Sequence, residues 1–367
     1  MSWTTQGQDG TRRFLPPLAR GDSTRVVHAG LPKPRQGEPF LPGPSLRAPT
    51  HWSGPMGPGA YGRFHNPTWS AYEEALAELE GGEVIVLSSG MAAVSAVLLP
   101  LLGPGDVLVA PSDGYPGVRE IAEAQLEPRG VEVRLVPSSE EAFLEAMDGA
   151  TLVWVESPSN PGMVVLNIAR LAEAARAAGA RLAVDATLAT PLRLRPLELG
   201  ADIAAASASK HLTGHSDLVL GYAATRDAEL AQEIRHWRGM TGAIPGPFEV
   251  WLAHRSLATL AVRLERQEAG ARALVEALRQ RPEVSEVRYP GFGSVLTFTL
   301  PDQEAAERFL RRATLVLEAT SFGGVHATAE RRGRWPTDDV PPGLIRMNAG
   351  LEDPEDIVAD VLAAIGD

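Results

Sequence analysis

Lys210 ends a run of small and apolar residues, Ala201-Asp202-Ile203-Ala204-Ala205-Ala206-Ser207-Ala208-Ser209. The run reads as a buried strand that closes on two hydroxyls and an amine. Removing an ammonium from water without a partner costs several kcal/mol or drives the amine neutral. A neutral amine is a nucleophile. In extended backbone Ser207 and Ser209 face the same side, so two hydroxyls can meet one anion beside that amine. The combination suits pyridoxal 5′-phosphate, an aldehyde that carries a phosphate and is held through a lysine. A strand-end lysine reaching solvent, with serines in the following turn, accounts for the run equally well.

Three other stretches bear on the choice. In Val86-Leu87-Ser88-Ser89-Gly90-Met91-Ala92-Ala93 a strand turns through serine and glycine into a helix, whose free N–H groups and positive end attract phosphate. Taken alone, it is also an ordinary serine-capped helix. Asp185 follows Leu182-Ala183-Val184 at a strand's carboxyl end. A carboxylate there can hold a proton on a pyridine nitrogen, because close opposite charges favour both ionised forms; it can also simply cap the next turn. In Glu156-Ser157-Pro158-Ser159-Asn160-Pro161 prolines stop a strand and fix an asparagine within reach of a ring hydroxyl. By itself that segment is a turn.

The elements that position these groups follow from periodicity. Ser70-Ala71-Tyr72-Glu73 is a capping-box pattern opening a helix that stops at Gly81-Gly82. Strands are expected at 83–87, 107–110, 131–136, 151–156, 181–184 and 202–206, with helices at 91–102, about 118–127 and 168–178. Short apolar strands alternating with amphipathic helices predict a mostly parallel sheet covered on both faces, with ligands at the strands' carboxyl ends. From Pro247 one long helical stretch runs through Trp251, Leu257, Leu260 and Leu264 to about Arg281. A smaller α+β region follows, with strands at 284–288, 294–299 and 314–317, a helix at 302–312 and a last helix opening at Asp353-Pro354. Residues 1–60, rich in proline and glycine, read as an arm on another surface. The expected division is therefore 1–60 arm, 61–246 large domain and 247–367 small domain.

The 367-residue chain is 44% apolar, enough for about two globular cores. Its formal charge of −12 argues against nucleic-acid and anionic-membrane partners. The basic cluster Arg331-Arg332-Gly333-Arg334 reads as solvated surface or ligand contact. The absence of cysteine removes disulfides, thiolate metal sites and a cysteine nucleophile, and fits a cytoplasmic setting. No segment has signal-peptide or membrane-span character. His211 and His215 lack metal-ligand spacing and are expected to be structural, with no metal site.

In order along the chain, these segments resemble the Cys/Met-metabolism family of pyridoxal-phosphate enzymes. The most specific are Tyr61-Gly62-Arg63-Phe64-His65-Asn66-Pro67-Thr68, Ser89-Gly90-Met91-Ala92-Ala93, Glu156-Ser157-Pro158-Ser159-Asn160-Pro161 and Ser207-Ala208-Ser209-Lys210 with Gly214-His215-Ser216-Asp217. The resemblance implies an α/β protein of fold-type I pyridoxal-phosphate transferase architecture. It also implies that Lys210 forms the Schiff base and that Asp185 pairs with the pyridine nitrogen. Tyr115 would stack on the ring, and Ser89, Gly90, Met91, Ser207 and Ser209 would surround the phosphate. Asn160 and Arg346 would take the substrate carboxylate beside Thr320 and Ser321. Tyr61 and Arg63 would reach the phosphate of a neighbouring subunit, completing each site in a dimer, usually within a tetramer.

The pattern also departs from the family. Ser209 stands for the usual threonine, Ala186 for the usual asparagine, and an extended loop after Tyr289-Pro290-Gly291 is missing. Thr320 stands where the γ-enzymes often carry a glutamate. The expected reaction is γ-elimination of L-cystathionine, with γ-replacement on an acylated homoserine, β-elimination and methionine γ-elimination as the alternatives.

Overall fold

The computed structural model describes residues 20–51, 53–54, 59 and 61–366. Most of the expected arm's first third thus lies outside the described residues. Helix α1 (Asp22–His28) comes first, an element that periodicity did not reveal. It puts Val26 and Ala29 into the same core as Tyr72, Leu76 and Leu257.

Helix α2 (Pro67–Glu80) corrects the capping-box reading. Its N-cap is Asn66, whose side chain accepts from the Thr68 amide, and Pro67 occupies the first turn, where its missing N–H costs nothing. Ser70 instead lies within the first turn and donates to the Asn66 carbonyl. The C-terminus falls at Gly81, whose φ of 75° is left-handed.

The chain then alternates β1 (Glu83–Leu87), α3 (Gly90–Leu101), β2 (Val107–Pro111), α4 (Pro116–Ile121), β3 (Glu132–Val136), α5 (Glu140–Ala146), β4 (Leu152–Glu156), α6 (Ile168–Ala177), β5 (Arg181–Asp185), β6 (Ile203–Ala206), β7 (Gly221–Thr225) and α7 (Ala228–Thr241). The helix expected at about 118–127 is α4 followed by a π-turn and a short 3₁₀ turn around Pro128. The seven strands are ordered β1-β7-β6-β5-β4-β2-β3. β2 to β6 run parallel, and β7 is antiparallel to both β1 and β6. The sheet's central strands are buried on both faces, so they carry continuous Val, Leu and Ala runs. Glu156 on β4 is in register with Asp185 on β5, which brings the two carboxyl ends to one edge.

The long helical stretch is two helices, α8 (Pro247–Leu257) and α9 (Leu260–Arg279), separated at Ala258-Thr259. From α9 the buried Arg263 donates to the carbonyls of His211, Leu212 and Ser256 and so fixes the turn that follows Lys210. A second, five-stranded sheet follows, built from β8 (Ser285–Arg288), β9 (Val295–Thr299), β10 (Leu317–Glu318), β11 (Thr328–Arg331) and β12 (Leu344–Asn348), with α10 (Gln303–Arg312) and α11 (Pro354–Ile365) against it. Its order is β10-β11-β12-β9-β8. The strand expected at 314–317 is mostly a loop, because the amides of Thr314, Leu315 and Val316 are taken by the Asp360 carboxylate rather than a neighbouring strand. No helix among the described residues is long and apolar enough to cross a membrane.

Candidate active site

Lys210 does not end a strand. β6 stops at Ala206 and the chain turns, so the two serines leave the shared face expected of extended backbone. Ser209 Oγ is committed to Leu220, donating to its carbonyl at 3.0 Å and accepting its amide at 2.9 Å. The Ser207 amide donates to Thr187 Oγ1 at 2.8 Å. Lys210 Nζ donates to Ser321 Oγ at 2.8 Å and stands 4.8 Å from the Phe322 ring centroid. Burial, with the Arg346 charge nearby, lowers its pKa to about 8.

A cavity of about 670 Å³ has this amine in its wall. On the large-sheet side it is lined by Ser89, Gly90 and Met91, by Tyr115, Asn160 and Asp185, and by Ser207, Ser209 and Lys210. Ser89 caps α3 by accepting the Ala92 amide at 2.9 Å. A Cβ at Gly90 would lie 2.7 Å from Ser207 Cβ, so only glycine lets these two turns approach. Asp185 Oδ1 accepts the Thr187 amide at 2.9 Å, yet burial raises its pKa. Glu156, overlooked as a functional residue in the sequence reading, accepts the Tyr115 amide at 2.9 Å. Burial and then Asp185 push its carboxyl up to about 8. Burial likewise raises the Tyr115 phenol.

The small sheet supplies Thr320, Ser321, Phe322, Glu330, Arg332 and Arg346 to the same cavity. Arg346 is buried rather than at the surface. Its Nη1 donates to Asn160 Oδ1 at 2.9 Å, and Nη2 donates to the Thr320 carbonyl and to Glu330 Oε2 at 2.7 Å. Desolvation and the neighbouring Arg332 lower its pKa to about 10. Glu330 is its cross-strand partner from β11 and also accepts Arg332 Nη1 at 3.0 Å. Arg332 is held in turn by Asp338 through Nε and Nη2. The basic cluster is therefore not simply solvated: Arg332 is buried and ion-paired inside the site. Glu330 went unnoticed because β11 has no clear alternation in sequence.

Tyr61 and Arg63 do not line this cavity. Arg63 donates to the Gly239 carbonyl at 2.6 Å and lies over the Phe64 ring, while Tyr61 is half-exposed. His211 is buried and bonded to Ser294 Oγ at 2.6 Å, with its pKa lowered by burial to about 3. His215 Nδ1 bonds the Thr213 carbonyl.

The donor set fits pyridoxal phosphate. A lysine of lowered pKa and a carboxylate that has no salt bridge among the described residues share one cavity, and a glycine-serine helix start opens into it. Ser209 fits less well than expected, since its hydroxyl already serves Leu220.

Residues 53–366 match the model of the family described as Cys/Met metabolism PLP-dependent enzyme, and the chain belongs to that family. A Streptomyces coelicolor protein provisionally named cystathionine gamma-lyase is 53% identical, over 95% of this chain and 94% of its own length. The cystathionine gamma-synthase of Escherichia coli K12 is 35% identical, over 94% and 97%. The crystal structure of metB from Corynebacterium glutamicum superposes with a TM-score of 0.91 at 33% identity, covering 96% of this chain and 99% of that one.

Proposed function

We propose that this pyridoxal-phosphate enzyme catalyses γ-elimination of L-cystathionine, consuming water and releasing cysteine, 2-oxobutanoate and ammonia. The observation that carries the chemistry is the meeting of Lys210 and Arg346 in one cavity, 4.8 and 5.0 Å from the centroid of the Phe322 ring. The 53% identity to a provisional γ-lyase favours that member of the family.

When bound, pyridoxal phosphate supplies an electron-withdrawing ring that stabilises negative charge beside the amino-bearing carbon. The chain's own residues do the rest. Arg346 and Asn160 orient the α-carboxylate, with the guanidinium already fixed by Glu330 and the Thr320 carbonyl. Lys210 Nζ, whose pKa is lowered to about 8 so that a fraction is neutral near pH 7, accepts the α proton and returns it where the leaving sulfur requires it. Asp185 would hold a proton on the ring nitrogen of that cofactor. Ser89, Gly90, Met91 and Ser207 would hold its phosphate, and Tyr115 would pack against its ring.

The same reading assigns Tyr61 and Arg63 to the cavity of a neighbouring copy in a homo-oligomer, supported by their position outside this one. It divides the chain near 61–246 and 247–367 and places it in the cytoplasm. Light scattering of the purified protein checks the assembly.

A second reading is γ-replacement on an acylated homoserine. It is favoured by the 35% identity to the cystathionine gamma-synthase of Escherichia coli K12. Incubation of the cofactor-loaded protein with L-cystathionine separates the cases by mass spectrometry. The proposal expects 2-oxobutanoate and cysteine. Pyruvate and homocysteine establish a β-lyase, and acyl-ester consumption only with added cysteine establishes the synthase.

A further inference from the structure

The segment after Glu330 forms part of the cavity wall through Arg332, Trp335, Pro336 and Thr337. Three ties hold it there. The Trp335 indole N–H donates to Glu330 Oε1 at 2.7 Å, Arg332 grips Asp338, and Arg119 from α4 donates to the Thr337 carbonyl at 2.7 Å. Arg119 also donates to the Gly114 carbonyl at 2.8 Å, next to Tyr115. The strap therefore spans from the small sheet to the helix that carries Tyr115. Glu330 is shared: one oxygen holds Arg346 and Arg332, the other holds the indole.

Trp335 keeps 40% of its surface exposed although its N–H is satisfied. The Arg334 guanidinium lies 5.6 Å from the ring centroid, and the rest of this large anchored ring is open contact area in the cavity wall. The cavity, at about 670 Å³, is in the range of roughly 300–1,000 Å³ that encloses drug-sized ligands, so the ring offers a surface to the ligand rather than a block.

We propose that Trp335 is a specificity-determining residue that packs against the substituent beyond the reacting carbon, while Glu330 sets its position relative to Arg346. The favoured substrates are α-amino acids with a long γ-substituent. The proposal rests on Arg346 taking the substrate α-carboxylate, as in the function above.

The test compares Trp335→Ala, Trp335→Phe and wild-type holoenzyme with L-cystathionine and with L-2-aminobutyrate, which keeps the α-carboxylate and lacks the long substituent. For Trp335→Ala we expect KM for L-cystathionine to rise about tenfold with kcat within about twofold, and the inhibition constant of L-2-aminobutyrate to stay unchanged. Trp335→Phe, which keeps a ring but loses the bond to Glu330, falls between. Equal weakening of both ligands, or of neither, overturns the proposal. If wild type does not process L-cystathionine, the γ-lyase reading fails on its own, and calorimetric dissociation constants of the same two amino acids read the same ratio.

Discussion

Around the large sheet, Glu80 at the end of α2 and Glu156 on β4 are buried against a hydroxyl and a backbone amide: Tyr222 donates to Glu80 at 2.5 Å, and the Tyr115 amide to Glu156. On the small sheet, Glu330 is equally buried but faces three guanidiniums, the buried Arg332 and Arg346 and the more exposed Arg334 at 3.6 Å. Among the described residues the large-sheet region has a well-buried pair of opposite charges, Glu73 with Arg238, yet neither Glu80 nor Glu156 shares in it. Neutral donors do not repay desolvation of a carboxylate, so Glu80 rises to about 7 and Glu156 to about 8. The small sheet instead pins fixed charges, with Glu330 and Asp338 balancing Arg332 and Arg346. Of these shifted groups Glu156 lines the cavity together with Lys210 on the large-sheet side, Glu80 lies outside it, and the fixed charges of Glu330, Arg332 and Arg346 line the other side.

The largest effect that sharpens this division belongs to Lys210. Lys210→Ala should lower steady-state keto-acid release about a thousandfold or more, consistent with loss of a general base and anchoring amine. Substantial residual turnover would sink the assignment.

Glu330→Ala should destabilise the fold by about 3–5 kcal/mol, because two buried guanidiniums lose their countercharge. Urea denaturation at neutral pH reads this directly. A change within about 1 kcal/mol would break the contrast between the sheets.

Glu80 gives a pH signature of comparable size. Its folded pKa is raised, so its stabilising proton is fully present below about 4.5 and lost as pH rises through about 7. Wild type should therefore lose about 3 kcal/mol from this group across that window. In Glu80→Gln the amide oxygen can still accept from Tyr222, so that loss should disappear and the variant should be more stable than wild type at pH 8.

Glu156→Gln resembles the protonated acid already dominant at pH 7. Its kcat/KM should stay within about twofold below pH 7 and diverge from wild type above pH 8, where the native carboxyl ionises beside Asp185. Identical pH profiles would show that Glu156 does not titrate in the working enzyme. The smallest effect is expected from Thr320→Glu, a few-fold fall in KM for L-cystathionine through attraction of its distal ammonium.

Much of the large sheet was legible because buried parallel strands are written as uninterrupted apolar runs; 83–87 is β1 to the residue. What was missed has local causes. β7 reads as Gly221-Tyr222-Ala223-Ala224-Thr225, a sequence with little alternation, and its strand character comes from pairing on both sides with β1 and β6. The capping box at Ser70 failed because Asn66-Pro67 is a stronger start one turn earlier. The single long helix failed because nothing in Ala258-Thr259 announces a break.

The sequence alone determined the family and the cofactor, since these rest on local motifs in order along the chain, and it singled out Lys210, Asp185, Asn160 and Arg346, which line one cavity. Tertiary structure decided what each is bonded to. Pairing of β11 with β12 sets Glu330 opposite Arg346, and the end of β6 at Ala206 turns Ser209 toward Leu220. The tie from Arg119 to Thr337 brings Trp335's strap to the helix that bears Tyr115. Such contacts join residues far apart in the chain, and their strength depends on burial and register, which no local stretch of sequence contains.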